Sequence, residues 1–323
     1  MDFYATMSLM AFKPSSPKVT VIIPTYNHVK VIGRTIESVL SQTYSDFEIL
    51  VIDDRGTPDT KPTVEAFVER DPRVRYIPNE VRLGLMENKN KGVRLSSPSV
   101  LYMAFLDDDD AYLPKYLERT VAEMEKHPDA VAVTTDCELR HQNGEFVKRY
   151  RCEREIFWKI SIGNGCLVRK SVFTKLNIWY DKDAIFEDLD FGVRVVKDHA
   201  WVAIPEVLRI YYRYYDEQGT SMSTMYTRST PREKLEYFMT KNGVIYEAAG
   251  NHALAWIHSL TGKMLIRAGH FGAGRKHLRK SLTLDPRPSY LAYYLIALFF
   301  PSAFAKQSIA VWKNKILGKL EKE

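Results

Sequence analysis

Cysteine is scarce in this chain of 323 residues. Only Cys137, Cys152 and Cys166 occur. Their number is odd, and their spacing fits neither a disulfide framework nor a zinc-binding pattern. We therefore expect the protein to work in a reducing compartment, the cytoplasm.

Long hydrophobic runs are missing as well. The opening MDFYATMSLMAFKPSSPK has no basic start followed by a sustained apolar segment, so it predicts no secretory signal. The run YLAYYLIALFFPSAFA contains Pro301 and has 16 residues, fewer than the roughly 20 that span a bilayer. Two interpretations of this run stay open: a helix lying on the anionic inner face of the cell membrane, or a terminal helix packed on the rest of the protein.

Acidic residues are absent between Ala248 and Leu284, where six Lys or Arg occur, although the net charge of the whole chain is only +6. A basic segment of this kind suits anionic lipid or nucleic acid. No recognisable nucleic-acid motif accompanies it, so we expect no nucleic-acid partner. A hydrophobic content of 45% allows one large domain or two smaller ones.

The periodicity of residues 19 to 106 predicts an α/β fold. The apolar runs VTVIIP, FEILVID, VRYIP and VLYMAFL alternate with segments of helical spacing. Strands that are apolar throughout and separated by helices favour a mainly parallel, Rossmann-like sheet covered on both faces. Such sheets bind ligands at the carboxyl ends of their strands.

The second half predicts a mixed sheet and then helices. Asn143-Gly144 lies between two strand-like stretches and indicates a hairpin; GNGCLV and WVAIP indicate further strands. We interpret residues 211 to 230 as a mobile loop. The stretch from Ala255 to Pro286 resembles one tetratricopeptide-type helix pair. The predicted organisation is a tail over 1–17, a domain over 18–230 and a basic helical region over 231–323.

Three strands of the predicted sheet end in polar clusters. PTYN, IDDRG and LDDDD follow the first, second and fourth strands, and should therefore meet at one edge. The four acids Asp107 to Asp110 repel one another and call for a positive partner. One interpretation is a solvated acidic turn before a helix that begins near Pro114.

The other interpretation of these four acids is a site for Mg²⁺ or Mn²⁺, which take one or two carboxylates and complete their shell with water and phosphates. One acid would then contact the metal, and Asp110 would lean toward the helix start. Such a metal would stabilise a departing diphosphate. In FEDLDF, Glu187 and Asp188 open a predicted helix, where Asp188 could accept a proton from a hydroxyl or simply cap the first turn.

Together these motifs resemble the family 2 glycosyltransferases with a GT-A fold. The resemblance covers roughly residues 18 to 225. The matching segments, in chain order, are VTVIIPTYN, SVLSQTYSDFEILVIDD, NKNKGV, AFLDDDDAYLPKYL, GNGCLVRKSVF, FEDLDFGVRV and VLRIYYRYYDEQGTSMS.

The resemblance implies where a nucleotide-sugar donor, usually uridine-linked, would bind. In the family, the base of this donor is held by the residues that match Thr25, Tyr26, Asn27 and Asp53. The residue that matches Asp54 lies nearby. The family's acceptors would here be a glycan, a lipid-linked glycan or a protein, in the synthesis of surface polysaccharide or glycoconjugate.

The resemblance also implies a metal ligand. Asp107, Asp108 and Asp109 match the Asp-x-Asp motif, whose last acid, here Asp109, binds Mn²⁺ or Mg²⁺. Lys89 and Asn90 match a basic residue and an asparagine beside the nucleotide.

Asp188 matches the family's base for an inverting transfer, with Glu187 beside it. Asn164, within GNGCLVRKSVF, and Arg213 are further candidate site residues. The family often has Arg-x-His where this chain has Arg213, Tyr214 and Tyr215, and Gly-Ser where it has Arg55-Gly56.

Two alternatives to a glycosyltransferase remain open from the residues alone. A sugar-phosphate nucleotidyltransferase would use the same kind of nucleotide and metal site, but usually has a glycine-rich basic loop, and PTYNHVKVIG is poor in glycine. A non-catalytic nucleotide-sugar-binding scaffold would need none of the acids that the mechanism uses.

Overall fold

The computed structural model describes residues 16–57, 59–152, 165–184, 187–214, 232–248 and 250–299. Its strands form one nine-stranded sheet in the order β3-β2-β1-β4-β8-β6-β9-β5, with β7 paired to β6. The strands are β1 Val19–Thr25, β2 Phe47–Asp53, β3 Val74–Pro78, β4 Tyr102–Phe105, β5 Ala111–Tyr112, β6 Ala130–His141, β7 Phe146–Tyr150, β8 Cys166–Arg169 and β9 Ala200–Arg213.

The sheet is parallel at one end and mixed at the other. β3, β2, β1 and β4 run parallel, whereas β8 is antiparallel to both β4 and β6. The predicted mixed, mainly parallel α/β sheet is therefore confirmed for the first four strands and for the later change of direction. The Asn143-Gly144 hairpin is confirmed as the connection from β6 to β7.

Helices cover both faces of the sheet. Their bounds are α1 Ile32–Leu40, α2 Lys61–Arg70, α3 Leu85–Leu95, α4 Tyr116–Lys126, α5 Ser171–Thr174, α6 Glu187–Val196, α7 Arg232–Ala248, α8 Asn251–Arg267, α9 Phe271–Leu284 and α10 Pro288–Phe299.

The protein has a hydrophobic core on each face of the sheet, and strand β1 contributes side chains to both. Its side chains alternate between faces, so Val21 and Ile23 pack with α1 and α4, while Ile22 packs with α3 and α6. All seven residues of β1 are buried, which explains why the strand has no polar alternation. Burial of each large aliphatic side chain here contributes about 1.5–3 kcal/mol.

Strand β9 is much longer than the predicted WVAIP strand. It extends to Arg213, so residues 211 to 213 belong to the sheet and their assignment to a loop was wrong. Pro205 lies between Ile204, which pairs with Thr135, and Val207, which pairs with Asp136. The register shifts there, and a bulge tolerates a proline because the extra residue need not donate to the ladder. Residues 215–230 of the predicted loop lie outside the described residues.

The predicted helix pair near the C-terminus is confirmed as α8 and α9. A Cβ on Gly262 would come within 2.9 Å of the Gly274 carbonyl oxygen, so glycine allows these helices to approach closely. Leu189 and Val193 of α6 share a hydrophobic cluster with Leu235 of α7. The division into a domain over 18–230 and a region over 231–323 stays a prediction.

Helix α10 contains most of the aromatic apolar run. Tyr290, Ala292 and Ile296 are buried, whereas Phe299 is 65% exposed. Its apolar residues contact Ile266 and Leu278, which supports packing on the neighbouring helices. Among the residues that the structure describes, no helix is long and apolar enough to cross a membrane.

Candidate active site

The polar ends of β1, β2 and β4 lie along one edge of the sheet, as predicted. Thr25 is the register partner of Asp53, and Ile22 of the same strand pairs with Phe105, two residues before Asp107. The carboxyl ends of three parallel strands therefore place the three clusters side by side. Helices α1, α3 and α6 add the remaining side chains.

His28 supplies the first positive partner of the acidic loop, which we define as residues 107–110. Its Nδ1 lies 2.7 Å from Asp108 Oδ1. The hydrogen bond to Asp108 raises the pKa of His28 to about 8, although burial opposes the shift. His28 is therefore mostly protonated at neutral pH and neutralises part of the loop charge.

Helix α1 fixes the backbone of the acidic loop. Thr35 Oγ1 lies 2.8 Å from the carbonyl oxygens of both Asp108 and Asp110, which share its single hydroxyl proton. Arg34 Nη2 donates to the carbonyl oxygen of Asp109 and to the hydroxyl of Tyr214. These contacts hold the loop through its backbone carbonyl oxygens and leave its carboxylates for other partners.

The sequence predicted that Asp110 leans toward the start of the following helix, and this prediction is wrong. Its Oδ1 accepts a hydrogen bond of 3.0 Å from the backbone N–H of Tyr212 in β9. The short strand β5, which begins at Ala111, pairs with β9 and brings this N–H beside Asp110. Burial raises the pKa of Asp110 well above its ordinary value, and the charge of Asp109 adds to the shift.

Lys89 connects the acidic loop to the predicted base. Its Nζ lies 2.8 Å from Asp188 Oδ1 and 3.9 Å from Asp107 Oδ1, and its side chain is fully buried. Burial lowers the pKa of Lys89, but the charges of Asp188 and Asp107 outweigh it and raise the pKa above its usual range. The ammonium group is therefore permanently charged between two carboxylates that come from distant parts of the chain.

The start of α6 presents its acids to this cluster. Asp188 lies in the first turn of α6, at the positive end of the helix dipole. Its side chain is 13% exposed, so solvent or a ligand can reach it. Burial raises the pKa of Glu187, and the charge of Asp188 raises it further.

Asn90 positions backbone in this structure. Its Nδ2 donates to the carbonyl oxygen of Tyr180 at 3.0 Å, and its Oδ1 accepts from the N–H of Tyr180 at 3.1 Å. The two bonds hold residue 180 against α3, and the Tyr180 ring packs within 5.1 Å of Lys89 Nζ.

Asp53 and Asp54 are buried and accept hydrogen bonds from neighbouring loops. Asp53 accepts from the Tyr76 hydroxyl at 2.8 Å and from Thr60, whereas Asp54 accepts from Asn79 at 2.9 Å. The backbone N–H groups of residues 83 and 84, just before α3, also donate to Asp54. The two carboxylates thus order the loops around the end of β2.

The end of β1 offers exposed and unsatisfied groups. The Tyr26 ring is 36% exposed, with the Arg82 guanidinium 4.1 Å from its centroid. Asn27 has a φ of 64°, and its Oδ1 accepts from the Thr57 N–H at 2.5 Å. Thr25 Oγ1 is buried without a hydrogen-bond partner among the described residues.

The acidic loop fits a hard divalent cation. Asp108 Oδ2 is buried and has no hydrogen-bond partner in the part of the chain that the structure describes. Burial and the charge of Asp108 raise the pKa of Asp109 to about 6. A cation would satisfy the first group and relieve the second. The described residues contain no ready group of three or more His, Cys, Asp or Glu side chains around one point, so water and substrate oxygens would have to complete the shell.

Most predicted site residues surround this edge. Arg213 ends β9, directly after Tyr212, whose N–H binds Asp110. Asn164 lies outside the described residues. The sequence analysis missed His28, Arg34 and Thr35, although His28 follows the TYN motif directly and could have been found there.

Two solved structures share this fold. TarS residues 1-349 from S. aureus, in complex with UDP-GlcNAc, match with a TM-score of 0.56 at 15% identity, over 91% of this chain and 83% of that one. The mannosyltransferase PcManGT from Pyrobaculum calidifontis, in complex with GDP-Man and Mn²⁺, matches with a TM-score of 0.55 at 17% identity, over 92% and 88%. The fold is that of the GT-A glycosyltransferases, as predicted.

Sequence comparison identifies the family of GT-A glycosyltransferases to which the chain belongs. The model of glycosyl transferase family 2 matches residues 20–186, just over half of the chain. The protein therefore belongs to glycosyl transferase family 2 and is a glycosyltransferase. A relative in Escherichia coli, the UDP-Glc:alpha-D-GlcNAc-diphosphoundecaprenol beta-1,3-glucosyltransferase WfgD, is 30% identical over 189 residues, which are 58% of this chain and 72% of that one. These matches do not favour nucleotidyl transfer or a non-catalytic scaffold.

Proposed function

We propose that this enzyme transfers a sugar from a nucleoside diphosphate donor to an acceptor hydroxyl with inversion at the anomeric carbon. The observation that carries the proposal is Lys89, which lies within 3.9 Å of the acidic loop and 2.8 Å from Asp188. A leaving-group site and a candidate base are thereby joined by one buried cation.

Asp188 is the base of this reaction. The acceptor oxygen attacks the anomeric carbon while the bond from that carbon to the diphosphate oxygen breaks, and the electron pair leaves with the nucleoside diphosphate. The hydroxyl proton passes to Asp188. Lys89 Nζ donates a hydrogen bond of 2.8 Å to Asp188 Oδ1 and so holds this carboxylate in place at the start of α6.

Asp109, with Asp107 and Asp108, would hold Mn²⁺ or Mg²⁺. That cation supplies charge stabilisation for the departing diphosphate. His28 and Arg34 keep the loop in place without occupying Asp108 Oδ2. The Mn²⁺ that accompanies PcManGT supports this assignment.

The donor base binds beside the ends of β1 and β2. Tyr26 offers an exposed ring face, and Thr25 offers a hydroxyl that has no hydrogen-bond partner in the described ranges of the chain. Asn27, Asp53 and Asp54 complete this wall, the two acids chiefly by ordering the loops they bind. A uridine-linked donor is supported by the names of WfgD and of the TarS complex.

The acceptor is a lipid-linked glycan used in cell-surface polysaccharide synthesis. The name of WfgD, which acts on a sugar linked to diphosphoundecaprenol, supports this acceptor. We assign catalysis to residues 18–230 and peripheral contact with an anionic membrane to the basic region 231–323. The absence of acids from residues 249 to 284 favours that contact.

Asp188→Asn tests the proposal. General base catalysis typically contributes about 10²–10⁴-fold, so transfer should fall by that factor. The variant should still bind UDP-sugar and Mn²⁺ in calorimetry. Glu187→Gln, one residue away in the same turn, is the matched control and should lose much less activity.

The rate is measured with a range of UDP-sugars and polyprenyl diphosphate-linked acceptors, and the anomeric configuration of the product by NMR. Wild-type transfer by the Asp188→Asn variant would refute the base assignment. A product that retains the donor's anomeric configuration would refute inversion.

A further inference from the structure

A cavity lined by basic residues and two histidines lies in the helical region, on elements other than those of the acidic loop. Its volume is about 520 Å³. It is formed by α8 and α9. The lining residues are His258, Lys276, His277, Arg279, Lys280 and Thr283.

The lining residues of this cavity carry positive charge, and the carboxylate of Glu236, which is not among them, acts on His277 and opposes the lowering of its pKa. Three lining residues, Lys276, Arg279 and Lys280, are exposed and lie on successive turns of α9. Within the described residues, none of the three has a carboxylate within ion-pair distance, and no lining residue is acidic. Positive side chains clustered on neighbouring turns of one helix repel one another, and a bound anion would relieve that repulsion.

Two histidines form the inner part of the cavity. The Nδ1 atoms of His258 and His277 are 2.9 Å apart, so one ring must donate its proton to the other. The accepting ring then carries its own proton on Nε2, where it remains a donor. Burial, together with the charges of His277 and Lys280, lowers the pKa of His258 to about 4, so this ring is neutral at pH 7. Burial also lowers the pKa of His277, with Lys276 contributing.

We propose that this cavity binds a phosphoryl-bearing anion, a phosphate or diphosphate group. The Arg279 guanidinium provides a planar fork that suits two phosphoryl oxygens, and the two lysines provide mobile ammonium groups. Thr283 and an imidazole N–H add neutral donors. A metal ion is unsuited to such a site because the lining provides cations where a metal needs anionic ligands.

The volume and the openness to solvent allow two sources of this group. It can be a free phosphate or diphosphate, or the headgroup of an anionic lipid. The proposal does not depend on the assignments at the acidic loop, because it concerns other residues on other helices.

Calorimetry of the full chain with inorganic diphosphate, with a chelator present to remove divalent metal, tests the binding. Arg279→Gln should weaken the affinity about tenfold, the effect of losing one charge-assisted hydrogen bond. Arg275→Gln is the matched control: it removes the same charge from the same helix, one turn away, at a position that does not line the cavity. The imidazole NMR signals of His258 and His277 should shift on titration, whereas that of His252, which is bound to Asp285, should not.

Flotation with vesicles separates the two sources. Phosphatidylcholine vesicles with and without phosphatidylglycerol are compared, for the wild type and for both arginine variants. If the protein binds the anionic vesicles, and Arg279→Gln weakens this binding whereas Arg275→Gln does not, the ligand is a lipid headgroup. If the protein binds diphosphate with the same dependence on Arg279 but does not float with the vesicles, the ligand is a soluble anion. Equal weakening by the two variants, or no binding of either probe, would overturn the proposal.

Discussion

Replacing Lys89 by methionine should destabilise the protein in proportion to the charge it leaves behind. The substitution keeps the length of the side chain and removes the ammonium group between Asp188 and Asp107. At an effective dielectric constant near 20, the attraction is about 6 kcal/mol at the 2.8 Å separation and about 4 kcal/mol at 3.9 Å. The cost of desolvating the ammonium group offsets much of this gain, and loss of one partner from a buried pair typically costs about 3–5 kcal/mol.

The expected loss is about 3 kcal/mol at pH 8, at the lower end of that range, because water reaches both carboxylates. Burial already raises the pKa of Asp107 well above its ordinary value while the charge of Lys89 lowers it, so removal of Lys89 raises this folded-state pKa further. A carboxyl with a raised folded pKa stabilises the fold below its unfolded pKa, and that contribution is lost as pH increases through the folded value. The variant should therefore lose less stability at pH 5 than at pH 8.

Urea unfolding of the variant and the wild type at both pH values measures this difference. Lys91→Met is the control: Lys91 lies on the same helix, and its Nζ donates to the neutral amide of Asn79 at 2.6 Å. Its loss should be about 1 kcal/mol and independent of pH. A pH-independent loss for Lys89→Met, or a loss no larger than that of the control, would refute the electrostatic reasoning.

Two further predictions concern substitutions of Gly56 and His28. Gly56→Ala places a Cβ 2.6 Å from both the backbone nitrogen and Oδ1 of Asn27, and should cost about 1–3 kcal/mol in urea unfolding. Gly33→Ala, whose nearest contact is 3.7 Å, should leave stability unchanged or raise it, and an equal loss at both positions would contradict the steric argument. His28→Gln removes the partner of Asp108: since the pKa of His28 is about 8 and its side chain is 39% exposed, the screened pair should contribute about 1 kcal/mol. That contribution is present below pH 6.5 and lost as pH rises through 8, so unfolding at pH 6 and pH 9 with a chelator should show it, and a difference that grows with pH would disprove it.

Local periodicity was sufficient to predict the first four strands. β1 and β2 are buried along their whole length, and each has seven residues. A continuous apolar run of this length fits a buried strand and is too short for a typical helix. The position of Asp53 and the acidic loop at the same edge of the sheet followed from the strand directions alone. These inferences need only the rule that the carboxyl ends of parallel strands lie at the same edge of the sheet.

Interactions between distant segments could not be predicted in the same way. The extension of β9 past Pro205 depends on a bulge opposite β6, and the proline by itself indicated an end. Asp110 binds a backbone N–H 102 residues away, which no helix-start pattern reveals. Lys89 was predicted beside the nucleotide, and its contact with Asp188 depends on how α3 and α6 approach each other.

Arg34 gives the acidic loop and the end of β9 a common attachment. The same Nη2 atom binds the Asp109 carbonyl and the Tyr214 hydroxyl, and the guanidinium stacks 3.7 Å from the Tyr212 ring centroid. Neither segment can shift alone without breaking a bond to this one side chain. A ligand that moves the four acids therefore either breaks the bond from Arg34 to Asp109 or carries Arg34 with it, and in the second case the end of β9 moves as well.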